Sequence, residues 1–155
     1  MAGTLDDLIA HAEGVGLTVE ERPLHHHNAL LLPGGHVLLN SRRSLTTRRY
    51  ALAHECGHWH HGHDWRLPHD RDRDEREADE HAATLLIDYR DYTEAELLND
   101  GHVGGIAQAL QVPSIVVVAY QGVLRRDGLI GVQDFRECVG ESQRHPFRHY
   151  AAPVR

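Results

Sequence analysis

Little in this chain could cross-link it, anchor it in a bilayer or bind a nucleic-acid backbone. Only two cysteines, Cys56 and Cys138, occur in 155 residues. Two cysteines cannot build a framework of bridges, and the expectation is free thiols in a reducing compartment. No apolar run approaches the ~20 residues a membrane span needs. The opening stretch MAGTLDDLIAHAEG has neither the basic nor the apolar segment of a secretory leader. The reading is a soluble, cytoplasmic protein with no membrane partner. Aromatic residues make up 6% of the chain, and the net charge is −7 with histidine neutral. That charge is a poor footprint for holding a phosphate backbone, so nucleic acid is disfavoured as a partner. Histidine, in contrast, is abundant at 15 residues, and near pH ~6.5 these side chains would offset much of the negative charge. Hydrophobic content of 41% and charged content of 25% are ordinary for a globular domain. With no repeat and no linker in view, one domain is expected over residues 1–140, followed by a loosely held tail at 141–155.

The local signals describe an α+β fold. Thr4 and Asp7 form a capping-box start for a helix to Glu13, with Leu5, Leu8, Ile9 and Ala12 on one face. Residues 17–21 alternate as a strand. Asn28–Leu32 and His36–Asn40 flank Pro33-Gly34-Gly35 as a hairpin would. The preceding His25-His26-His27 reads as a solvated strand edge. Ser44 or Thr46 caps a helix running to His61, with Gly62 as its stop and a core stripe of Leu45, Leu52, Cys56 and Trp59. A second helix is expected over Asp74–Ile87, with Ala78, Ala82, Leu85 and Leu86 inward. Thr93-Glu94-Ala95-Glu96 suggests a capping box for a short helix ending near Gly101. Val103–Leu110 and Ile115–Arg126 complete the set, the latter read as a buried helix in spite of its Ile-Val-Val-Val run. The expected architecture is a small antiparallel sheet of about three strands packed against a helical bundle.

The chemistry concentrates in His54-Glu55-Cys56-Gly57-His58, a His-Glu-x-x-His (HExxH) pattern. Residues four apart on a helix lie about 40° apart around its axis, so His54 and His58 share a face and could hold one metal ion. Glu55 falls on the flank, suited to act as a base rather than a ligand. The histidine richness makes a chance occurrence on the order of 0.1, so context decides. A catalytic zinc usually takes a third protein ligand. The extended pattern with Gly at 61 and His at 64 fails, since those positions are His61 and Asp64; His63 is off by one. A carboxylate on the second helix is the stronger source. Glu77 is preferred there, with Glu75, Asp74, Glu80 and His81 as alternatives. Gly57, opposite the small Ala78 and Ala82, would let the two helices approach closely.

The run RRYALAHECGHWHHGH followed by EREADEHAATLLID resembles the ImmA/IrrE family of zinc metallopeptidases. The preceding LHHHNALLLPGGHVLLN and the later QALQVPSIVVVAYQGVL are similar to the segments that flank those motifs in the family, so the likeness spans roughly residues 17–126. The resemblance implies a zincin-like fold, one zinc per chain, His54, His58 and Glu77 as ligands, and Glu55 as general base. It also implies a protein substrate: relatives cleave helix-turn-helix repressors of mobile elements or stress responses. Two departures stand out. His81 occupies a position usually held by Phe, and Ile87-Asp88 replaces Met-Pro. His81 and Tyr50 are candidates for supporting the ligands or lining the substrate pocket, or for donating to a developing oxyanion. Two other functions compete. One is a zinc-stabilised interaction module without catalysis. The other is a DNA-binding regulator built on the faintly helix-turn-helix-like Ile106–Ile115, whose second helix is too apolar to read bases.

Overall fold

The computed structural model describes residues 3–64, 66 and 70–129. The elements are α1 (Leu5–Gly14), β1 (Thr18–Arg22), β2 (Ala29–Leu32), β3 (His36–Asn40), α2 (Leu45–His61), α3 (Arg71–Leu86), α4 (Tyr89–Leu98), α5 (Val103–Leu110) and α6 (Ser114–Arg126). Cys138 and the expected tail at 141–155 lie outside the described residues.

The class is α+β. The capping box of α1 forms: the Thr4 hydroxyl accepts from the Asp7 amide at 3.2 Å, and the Asp7 carboxylate accepts from the Thr4 amide at 2.8 Å. The sheet has the order β1-β3-β2 and is mixed, not wholly antiparallel as expected. β2 and β3 make the anticipated hairpin, turning through Gly34 and Gly35 at φ 88° and 81°, a region that glycine enters without steric cost. β1 instead pairs in parallel with the far edge of β3, in the register Thr18↔His36 to Arg22↔Asn40. The cause lies in Asn40, which is fully buried. Its carboxamide oxygen accepts from the amides of Leu24 and Arg42, and its Nδ2 donates to the carbonyls of Leu24 and His27. These bonds hold the 23–28 segment as a crossover past the end of β3 and leave no turn to join β1 to β2.

Ser44 caps α2, and Gly62 ends it in the left-handed region at φ 66°. Of the expected core stripe, Leu52 and Cys56 are buried, while Leu45 (57%) and Trp59 (38%) are exposed. Leu45 is the first helical residue and precedes the contact with the core. Trp59 lies at the rim, where its indole N–H donates to the Val15 carbonyl at 3.0 Å. Complete burial of a side chain like that of Leu52 contributes roughly 2 kcal/mol.

α3 begins at Arg71, three residues ahead of expectation, because Asp70 caps it by accepting from the Arg73 amide at 3.2 Å. α4 also starts early. Asp88, not Thr93, is its cap and accepts from the Arg90 amide at 2.9 Å. Thr93 sits inside the helix and donates to the Arg90 carbonyl. α6 is helical and buries Val116, Val117, Tyr120 and Leu124. It follows α5 at a bend of 105° through Gln111, a non-glycine residue at φ 54°. Among the described residues no single helix is long and apolar enough to cross a membrane.

Candidate metal centre

The spacing of α2 puts His54 and His58 one turn apart, with their Nε2 atoms 3.0 Å from each other. The carboxylate that α3 brings beside this pair is that of Glu75. Its Oε2 lies 3.3 Å from His54 Nε2, and its Oε1 lies 3.6 Å from His58 Nε2. Two donors bound ~2.1 Å from a tetrahedral ion sit ~3.4 Å apart, so the three side chains already have the spacing of a zinc ligand set. Glu77, the preferred third ligand by sequence, points elsewhere: its Oε2 is 3.0 Å from His63 Nε2. The helical wheel accounts for this. Glu75 is three residues before Ala78 and four before Asp79, on the face turned to α2, whereas Glu77 lies ~100° from Ala78 on the flank.

The other nitrogens of the histidine pair are also engaged. His54 Nδ1 is 2.8 Å from Asp79 Oδ1, which also accepts from the Tyr50 hydroxyl at 2.7 Å. His58 Nδ1 is 2.9 Å from His63 Nδ1, and His63 Nε2 faces Glu77 at 3.0 Å and Asp74 at 3.5 Å. A carboxylate or imidazole on the far nitrogen fixes the ring and its tautomer, a recurrent device behind metal-binding histidines. Tyr50 therefore acts through Asp79. Burial, with Asp79 adding to it, raises the Tyr50 pKa and keeps the phenol a neutral donor. Sequence reasoning assigned no role to Asp79, although its position four residues after Glu75 was the available signal. Asp79→Ala should weaken zinc affinity by ~10–100-fold, with Tyr50→Phe milder. Competition with a chromogenic chelator measures both, and wild-type affinity in Asp79→Ala would remove Asp79 from the centre.

Glu55 is 8% exposed beside the pair. Burial pushes its carboxyl up to about 7; His54 opposes the shift and Glu75 reinforces it. The two histidines diverge. For His54, burial opposes the charge, but hydrogen bonds to Asp79 and Glu75 outweigh it and lift the pKa to about 10. For His58, burial and the neighbouring His54 depress it to about 3. His81 is not beside the pair. It stacks on His60 at a centroid distance of 4.5 Å. A cavity of about 370 Å³ lies elsewhere, between the end of α3, α4 and α5, and none of His54, Glu55, His58 and Glu75 lines it.

Two histidines one turn apart, a carboxylate from a neighbouring helix and a buried glutamate between them make a centre of the metal-dependent hydrolase class. Residues 12–120 match the peptidase family described as the IrrE N-terminal-like domain, and the chain belongs to that family of metallopeptidases. No curated protein matches the chain.

Proposed function

We propose that the chain is a zinc-dependent endopeptidase that hydrolyses a peptide bond in a cytosolic protein substrate, a helix-turn-helix repressor of a mobile element or stress response. The observation that carries the metal reading is the ligand-like spacing of His54, His58 and Glu75. These three residues would hold the ion, which supplies Lewis acidity towards water and the scissile carbonyl. Glu55 takes the proton of the attacking water and returns it to the leaving amine. Asp79 and His63 keep the two imidazoles aligned. Family membership supports a protein substrate. The repressor reading rests on the resemblance of the paired helix motifs.

Elemental analysis after exhaustive dialysis should find one zinc per chain. Glu75→Gln should lose it and Glu77→Gln should keep it; the reverse pattern would restore Glu77 as the third ligand. The substrate is tested by co-expression with a helix-turn-helix repressor encoded beside the gene. Mass spectrometry should detect one discrete cleavage that depends on the metal ligands. An intact repressor in the presence of an enzyme that cuts other proteins would overturn the substrate class alone.

A further inference from the structure

Three imidazoles outside the His54–His58–Glu75 centre converge at the C-terminal end of α2. His60 and His61 come from its last turn and His81 from α3, and one ring nitrogen of each lies within 4.8 Å of the others. His60 and His81 stack at 4.5 Å between centroids, and His61 approaches His60 at 5.0 Å and His81 at 6.0 Å. Helix spacing alone does not produce this, since adjacent helical residues point about 100° apart. His81 meets both because α3 is held tightly against α2. Among the described residues neither His60 nor His81 has a carboxylate at ion-pair distance, and the donors that converge there are ring nitrogens.

We infer that His60, His61 and His81 form a second metal site, for an imidazole-preferring divalent ion such as zinc, nickel or copper, which staples the last turn of α2 to α3. The all-nitrogen set selects against magnesium and calcium, which take oxygen ligands. Donors around a tetrahedral ion lie ~3.4 Å apart. Closing the triad therefore takes roughly an ångström of ring movement, within reach of rotamer adjustment for the exposed His60 and His61 and the half-buried His81. Exposure also leaves the remaining coordination positions to water. A competing triad, His61 with His63 and Glu77, shares His61. His63 is already committed to the first centre, where its Nδ1 meets His58 Nδ1 at 2.9 Å, and variants of Glu77 and His81 separate the two triads.

The test is equilibrium dialysis of the full chain against graded free zinc up to the micromolar range, with bound metal counted by elemental analysis. Wild type should saturate at two ions per chain, and His81→Phe and His60→Ala at one. His60 is exposed, so His60→Ala keeps the question answerable if His81→Phe folds poorly. The double variant His54→Ala/His58→Ala should still take one ion, which separates this site from the first. The melting temperature of wild type should climb further as the second ion binds, and that extra rise should vanish in His60→Ala. Saturation of wild type at one ion overturns the proposal. So does loss of the second ion in Glu77→Gln with retention in His81→Phe, which would move it to the competing triad.

Discussion

Glu55→Gln should give a protein that folds, holds its zinc and has lost ~10²–10⁴-fold in cleavage rate, the range a positioned general base contributes. The substitution keeps side-chain volume, so the close contact of α2 and α3 is undisturbed. It also removes an ionisable group from a site where burial already raises the carboxyl pKa to about 7, so no stabilising charge is forfeited. What disappears is the capacity to accept a proton. The side chain flanks the His54–His58 face without joining the three-ligand cluster, so zinc content should remain that of wild type. Single-turnover cleavage of the substrate together with metal analysis separates the two effects. Full cleavage by Glu55→Gln would falsify the peptidase mechanism and favour a zinc-stabilised interaction module.

Gly57→Ala should be the most damaging glycine-to-alanine change among the described glycines, because the atoms it would strike are backbone. A Cβ at Gly57 would lie 2.7 Å from the Ala78 Cα, 2.8 Å from its carbonyl oxygen and 3.1 Å from its carbonyl carbon. The obstacle is backbone, which has no rotamer by which to withdraw, so the two helices must separate. Overpacking of this kind costs ~1–3 kcal/mol and occasionally more. Alanine returns at most ~1 kcal/mol of helix propensity. A net loss of ~1–2 kcal/mol is expected by urea denaturation. Zinc affinity should fall with it, because Glu75 and Asp79 move away together with Ala78. Stability and zinc binding equal to wild type would show that the helices yield more easily than a 2.7 Å contact allows.

That contact was legible in the sequence, and so was much of the centre. Helical periodicity alone puts His54 and His58 on one face, and the small residues Gly57, Ala78 and Ala82 mark where a neighbouring helix must come. Choosing between Glu75 and Glu77 depended on the rotation of α3 about its axis. Two carboxylates two positions apart face nearly opposite ways, and a motif that contains both does not say which is inward. The inward positions of Ala78 and Ala82 encode that rotation, since on the wheel Glu75 lies about 60° from Ala78 and about 20° from Ala82. Two other departures have the same character. The parallel pairing of β1 depends on the long-range hydrogen bonds of Asn40, and no local pattern announces them. The early starts of α3 and α4 come from Asp70 and Asp88, each of a residue type that caps helices well.

Trp59 gives the centre an optical handle. Its indole is bonded to the Val15 carbonyl at 3.0 Å, and a side chain at Gly35 would strike its ring at 3.0 Å. The fluorophore is therefore fixed between the end of α1 and the β2–β3 turn, one residue from His58. Emission from Trp59 depends on the anchoring of the final turn of α2, where the last histidines of the helix reside. Loosening of that turn would alter its spectrum before the helical core melts, so with the other tryptophan replaced (Trp65→Phe) local and global opening can be followed as separate signals in one unlabelled sample.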